Sequence, residues 1–561
     1  MDNLRLVLWA GFFVLLWLGV NQWNSDYGAP SPPSAASTRT NAAPTQTNNN
    51  TKEASGVLGL SDNLPVIAIE NGPTETSEKL RLSTWLVAVT THGLDLGTNP
   101  DKVGDIVQAK LLKYFPNKDD KSKKIELLSY NEDNYQYFQT GLLSLSGHPE
   151  PNHQQAFLEK DKKLELREGQ EHISTSLVWK IKQDQTNLEV KKSYTFKRGR
   201  YDILLTYDIK NLGTQDYTFV LYNQLVKKDK KAERSMFNVE TYSYNGPIIY
   251  NGESYQKIDT AELADSPLRE THTNGWASNI QHHFLVAMVP EQNQPYTFSA
   301  SSDPANELYK VAMVGQTPVT VRPGSRAQVA TTFFVGPKIQ EQLKDVAQGL
   351  ELSVDFGKLT FLSSPLFWLL NKTHQLVRNW GLAIILVTLL IKLLFYPLTE
   401  ASGRSMAKMR KVQPRIKAIQ DRHKDDKQAQ SQAMMELYKK EKVNPMAGCL
   451  PMLIQIPFFI AFYWVLLESV EIRQAPFFLW IQDLSSRDPY FVLPLLMGLG
   501  MFFQQKLNPA PPDPMQAKIM TAMPIMFTAM FAFFPSGLVL YWLTNSLLSI
   551  AQQWKINRAA Q

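Results

Sequence analysis

Hydrophobic positions follow two different rhythms along this chain. Between about residues 57 and 350 they alternate with polar ones. Tyr201, Ile203, Leu205, Tyr207 and Ile209 share one parity while Asp202, Thr206, Asp208 and Lys210 take the other, the period-two signature of a half-buried strand. Leu188, Val190, Tyr194 and Phe196 repeat the spacing just upstream, and Lys197-Arg198-Gly199-Arg200 lies between as a turn, so the two runs predict a hairpin. Similar runs at residues 80–90, 124–130, 135–143, 177–181, 217–226, 284–289 and 327–335 predict a large, mainly antiparallel β-sandwich. Ile339, Leu343, Val346 and Leu350 then fall at helical spacing, as expected for an amphipathic helix closing that domain.

After residue 380 the apolar residues come in blocks instead. Residues 381–398, 448–467, 490–503, 519–534 and 538–551 are five candidate membrane spans, and residues 6–20 are a sixth. The last three contain 14, 16 and 14 residues, fewer than the ~20 that cross a typical hydrocarbon core. Residues 6–20 follow Arg5 as a signal peptide would, but no small-residue cleavage site comes promptly after them, which favours an uncleaved anchor. The fold class expected is therefore an α+β multi-domain membrane protein. Its parts are an N-terminal anchor (1–23), a disordered Pro/Ser/Asn-rich tether (24–56), an extracytoplasmic β-sandwich with its closing helix (57–350), an amphipathic segment (351–380), a five-span core (381–551) and a short tail (552–561). Within residues 365–380, apolar residues interleave with Lys372, His374 and Arg378, as in a helix lying at the membrane interface; packing on the sandwich is the alternative.

Charge orients these parts. Residues 401–443 carry twelve basic side chains against five acidic ones, which marks that loop as cytoplasmic, whereas residues 468–489 carry two basic and four acidic ones. Both termini then lie in the cytoplasm and the sandwich outside. The chain's formal charge of +6 is thus a topology signal rather than a sign of nucleic-acid binding. The cytoplasmic loop divides into two helical stretches, 405–420 and 427–440, whose apolar stripes include Met409 and Met434, and a helical hairpin is expected. Cys449 is the only cysteine, which excludes an intramolecular disulfide, and His282-His283 belong to no Cys/His/Glu cluster, so neither metal nor cofactor is implied.

One residue stands against its surroundings. Lys392 lies within the run GLAIILVTLLIKLLFYPL (381–398), where a lysine costs roughly 2.5–3.5 kcal/mol on insertion scales. Snorkelling toward the membrane surface is one outlet. The other is a shared recess: Gln455 and Asn545 occupy comparable depths in the second and last blocks of the core, and three polar groups lining one hydrated recess satisfy one another and water. The recess is favoured.

Several blocks in order resemble a known family. Tyr396-Pro397-Leu398-Thr399, Ser405-Met406-Ala407-Lys408-Met409-Arg410, EKVNPMAG (441–448), LIQIP (453–457), RQAP (473–476) and FPSGLVLY (534–541) are similar to stretches of the YidC-type membrane protein insertases of the YidC/Oxa/Alb group, in their Gram-negative form. The resemblance spans the whole chain. It implies an insertase and chaperone of the inner membrane that moves transmembrane segments from cytoplasm to lipid through a groove open to both, without nucleotide hydrolysis. Its implied partners are nascent membrane proteins, membrane lipids, the Sec translocon and the ribosome. The family's groove normally carries an arginine where this chain has Lys392, a departure that removes the bidentate fork. Thr388 and Gln455 match other groove positions, and Tyr541 and Trp542 resemble an aromatic pair that contacts the client helix.

Other functions are poorly supported. GxSxG, HExxH and GxxxxGK[ST] are all missing, against a hydrolase or an ATP-driven pump. A secondary transporter of an anionic solute would also use an intramembrane lysine, but the apolar blocks show no paired halves. A scaffold that binds partners through its sandwich is the third possibility.

Overall fold

The computed structural model describes residues 87–90, 94–98 and 105–560, apart from short stretches at 132–133, 154–156, 158–161, 184, 230–242, 424–425, 442–449 and 508–513. The expected anchor and tether, and the sandwich sequence before residue 87, lie outside the described residues. The described chain divides into a β-rich unit ending at Val354 and a helical unit beginning at Asp355.

The β-rich unit is built on an eight-stranded and a six-stranded antiparallel sheet. In the first, strands follow the order Tyr255–Lys257, Gly246–Tyr250, Trp276–Ile280, Phe284–Pro290, Arg326–Pro337, Asp202–Asn211, Thr186–Lys197 and His172–Gln183. The hairpin expected from alternation is present here, with Tyr194 opposite Leu205 and Val190 opposite Ile209, and Gly199 supplies the left-handed turn residue at φ 71°. The second sheet centres on Tyr217–Lys228, flanked by Gln136–Ser144 and Leu308–Gly315. Phe138 of one sheet stacks on Phe333 of the other at 4.2 Å between ring centroids, and the Thr140 and Tyr207 hydroxyls meet at 2.6 Å, so the inward faces interlock. A smaller five-stranded sheet includes one parallel pair, Val87–Thr90 with Lys162–Glu165. The closing helix is shorter than expected: α1 spans Gln340–Val346 and gives way to a 3-10 turn over Leu350–Ser353. Gly349 makes that change possible, because it sits at φ 74° and a Cβ there would lie 2.5 Å from the Tyr250 ring.

The helical unit contains α2 (Thr360–Val377), α3 (Trp380–Leu394), α4 (Tyr396–Arg422), α5 (Lys427–Lys440), α6 (Leu450–Glu468), α7 (Val492–Leu507), α8 (Pro514–Phe531) and α9 (Ser536–Ala560). Local chemistry sets several boundaries. Arg378 turns left-handed at φ 52° and its N–H caps the His374 carbonyl, ending α2, while the Asn379 side chain accepts from Leu382 N at 3.0 Å, starting α3. Asp426 caps α5 by accepting from Gln428 N and Ala429 N, both at 2.9 Å. Residues 381–398, expected as one span, are instead α3 plus the first turn of α4, with a 65° bend between the two helices. Pro397 is tolerated in that first turn, where no intrahelical partner awaits its missing N–H. The hairpin of α4 and α5 forms around Val412, Ile416, Met434 and Tyr438.

Among the described residues no single helix is long and apolar enough to cross a membrane, though α3 and the first part of α4 meet that test together. The shortness expected of the last three blocks belongs to their apolar stretches rather than to the helices. α7, α8 and α9 have 16, 18 and 25 residues, and α9 continues through most of the segment expected to be a tail. Large apolar side chains are exposed across the helical unit, among them Leu376 on α2, Leu394 on α3 and Ile525 on α8, each more than 70% exposed, whereas in the described sandwich none exceeds 45%.

Candidate functional site

α3 and α9 pack together, and Lys392 projects between them. It is 8% exposed, and its ammonium donates to Ser549 Oγ at 2.8 Å. The Ser549 hydroxyl in turn donates to the Asn545 carbonyl one turn earlier, at 2.7 Å. Its lone pairs are thereby turned to the ammonium, and the hydroxyl acts as a fixed acceptor. Thr388, one turn from Lys392, is 2% exposed and donates to its own helix at Ile384 O, 2.6 Å away. It therefore supplies a small, self-satisfied polar patch rather than a partner for the ammonium.

Rise per residue fixes the depth of these groups. Lys392 lies roughly 18 Å from the start of α3, and Ser549 roughly 20 Å from the start of α9, at 1.5 Å per residue. Gln455, half-buried on the antiparallel α6, lies roughly 20 Å from that helix's C-terminal end. Asn545 is half-buried on α9 at roughly 14 Å, with its carbonyl committed to Ser549.

Tyr541, Asn545 and Ser549 recur every four residues and share one face of α9. Tyr541 is buried and stacks on Phe462 of α6 at 4.6 Å. Trp542 meets Phe459 of α6 edge-on at 4.6 Å and Phe531 of α8 at 5.3 Å. The aromatic pair thus joins three helices about 12 Å above Ser549. Met434 is buried in the hairpin core and Met409 packs against that core, so both sit inside the α4–α5 contact. Among the described residues no group of three or more His, Cys, Asp or Glu side chains could hold a metal ion.

Ser549 is the residue that pattern reading missed. Serine near the end of an apolar block carries no signal by itself; the available clue was its four-residue spacing from Asn545 and eight-residue spacing from Tyr541.

The family model described as 60Kd inner membrane protein matches residues 372–561, and the model described as YidC periplasmic domain matches residues 86–369. A membrane protein insertase YidC from Thioalkalivibrio sulfidiphilus is 43% identical over 570 residues, covering 100% of this chain and 98% of that one. The chain belongs to the YidC family of membrane protein insertases. A second YidC insertase, from Pseudomonas fluorescens, is 41% identical with the same coverage of both chains. A crystal structure of an active YidC insertase with its first transmembrane domain resolved covers 84% of this chain and 95% of its own, at 19% identity and a TM-score of 0.38. The boundary between the two YidC family models, at residues 369–372, falls within α2.

Proposed function

We propose that the helical unit inserts transmembrane segments into the inner membrane, with Lys392 as the group that receives the polar, acidic end of a client segment. The observation that carries this is a buried ammonium whose described hydrogen-bond partner is a neutral hydroxyl. A carboxylate brought to about 4 Å gains about 4 kcal/mol at an effective dielectric of 20, comparable to the roughly 2.5–3.5 kcal/mol cost of placing a charge at the centre of a membrane helix. No covalent step is required. Gln455 and Asn545 supply further polar surface at neighbouring depth, and Tyr541 and Trp542 offer aromatic faces to an apolar client helix.

The finer organisation belongs to the same reading. α3, α6, α7, α8 and α9 form the five-span core, and residues 6–20 anchor the chain ahead of the sandwich. Both termini are cytoplasmic and the sandwich periplasmic, and the α4–α5 hairpin meets clients at the cytoplasmic mouth. The Sec translocon and the ribosome are partners by family membership. Support comes from the basic excess of residues 401–443, the exposed apolar side chains of the helical unit and the two family matches.

The test is reconstitution of the purified chain in liposomes with a small client whose translocated tail carries acidic residues. Lys392→Arg should insert it at the parent's level. Lys392→Glu should insert it at least about tenfold more slowly, the equivalent of about 1.4 kcal/mol, while a client with a neutral tail is affected less. Equal insertion of the acidic-tailed client by Lys392→Glu and the parent would remove the charge from the mechanism.

A further inference from the structure

The loop joining α6 to α7 is pinned to three helix starts. Asn379, immediately before α3, donates through Nδ2 to Phe477 O at 3.2 Å, and the Phe477 ring lies so close to Gly381 that a Cβ there would be 2.0 Å from it. Ser536 N and Gly537 N, which open α9, donate to Ser486 O at 2.7 Å and Leu484 O at 2.8 Å. Asp488 accepts from Leu493 N in the first turn of α7 at 2.7 Å, and from Trp480 Nε1 and Tyr490 N, both at 3.0 Å. The loop therefore lies across one end of the helical unit, level with the point where α3, α7 and α9 begin.

From this anchored base two apolar side chains point outward: Phe478 is 52% exposed and Leu479 79% exposed. Leu479 holds a left-handed backbone at φ 53°, a costly conformation for a large side chain and a sign that the surrounding contacts impose it. The carbonyls of Phe477, Phe478 and Leu479 are all satisfied from within the unit, by Asn379 Nδ2, by Ile481 N at 3.1 Å and by Gln482 Nε2 at 2.6 Å. Carbonyls satisfied in this way are compatible with a position beside lipid. Tyr490, 69% exposed in the same loop, is a residue type enriched at membrane interfaces.

We infer that Phe478 and Leu479 form a rigid wedge seated in the outer leaflet of the bilayer, at the boundary between headgroups and acyl chains. The occupant of this apolar tip is lipid. Its level decides this: Phe477, next to the tip, is bonded to Asn379, the residue preceding the first apolar turn of α3, where a membrane helix emerges. The inference rests on the proposed orientation of α3, α7 and α9 as spans beginning on the outer side.

Site-directed fluorescence on the full chain in liposomes tests it. Cys449→Ala removes the only cysteine, and single cysteines are then placed by Leu479→Cys, Leu390→Cys and Lys180→Cys and labelled with an environment-sensitive dye. Leu390 is an exposed apolar position on α3 and Lys180 an exposed strand position in the sandwich. The Leu479 probe should show blue-shifted emission and be quenched more by lipids carrying a nitroxide near the headgroup than near the chain end. The Leu390 probe should show the reverse depth order, and the Lys180 probe should respond only to an aqueous quencher. If the Leu479 probe behaves like the Lys180 probe while the Leu390 probe is quenched by lipid, the wedge is overturned and the tip faces water or a protein partner. If the Leu390 probe also escapes lipid quenching, the membrane placement itself fails and the wedge with it.

Discussion

The two units bury charge in opposite ways. Inside the sandwich Lys192 is fully buried, but it pairs with Asp105 and lies among the rings of Phe157, Tyr194 and Tyr207. In the helical unit Lys392 is nearly as buried and meets a serine hydroxyl. Their outer surfaces differ in the same sense, since the sandwich presents mostly polar groups and the helices present leucine, isoleucine and phenylalanine. A lysine whose countercharge is built in serves the fold. On the proposed reading, one left without it keeps its electrostatic attraction for a client carboxylate.

Removing each ammonium separately gives the sharpest break of this comparison. Lys192→Met leaves Asp105 as a buried, uncompensated carboxyl and should destabilise the sandwich by about 3–5 kcal/mol; adding Asp105→Leu should recover most of the loss. Lys392→Met removes a desolvated charge and should change stability by less than about 1 kcal/mol while lowering insertion of acidic-tailed clients. Thermal unfolding of both variants in detergent, beside an insertion assay, measures the contrast. A loss of several kcal/mol in Lys392→Met would make that lysine structural.

The aromatic junction of the helical unit gives the next largest effect. Tyr541→Ala deletes a ring stacked between helices, and the expected cost is about 2–3 kcal/mol, below the soluble-core range because lipid is as apolar as the ring it replaces. A melting temperature equal to the parent's would show that Tyr541 is free to serve clients alone.

The smallest effect concerns acid. Burial, with help from Lys192 and Lys310, holds His153 down to about 4, so the stability it contributes is present above its ordinary 6.5 and is lost as pH falls toward 4. Burial lifts the Asp105 carboxyl to about 6 despite Lys192, and that group returns stability as pH falls through 6 toward 3.8. The two terms offset each other in the parent. His153→Gln removes the first, so on going from pH 7 to 5 its sandwich should gain about 1–2 kcal/mol relative to the parent. Hydrogen exchange in Gln136–Ser144 at the two pH values reads the difference, and parallel pH profiles would refute the offset.

Legibility in the sequence follows the same physical divide. Strands with one wet face, such as Asp202–Asn211 and Thr186–Lys197, announce themselves by alternation. Gly246–Tyr250 and Trp276–Ile280 are buried at every position, so their sequences carry no period and were not anticipated. Helix ends depended on backbone chemistry that hydropathy does not register: the left-handed Arg378 that divides α2 from α3, and the turn at Phe395 that sends the chain into α4 instead of prolonging a span. Lys392 was conspicuous because charge inside an apolar run is costly. Ser549 gave no such warning, since its importance arises from a neighbour 157 positions away.

The 65° bend has a mechanical corollary. α4 contains 27 residues and is therefore about 40 Å long, and its near end lies only four residues beyond Lys392. Its first turns are held against α9, where a Cβ at Gly403 would lie 2.8 Å from Ile556, so only the part beyond Gly403, about 28 Å long, stands clear as a lever. A swing of about 10° about that point would carry the far tip roughly 5 Å and leave the contact between Lys392 and Ser549 undisturbed.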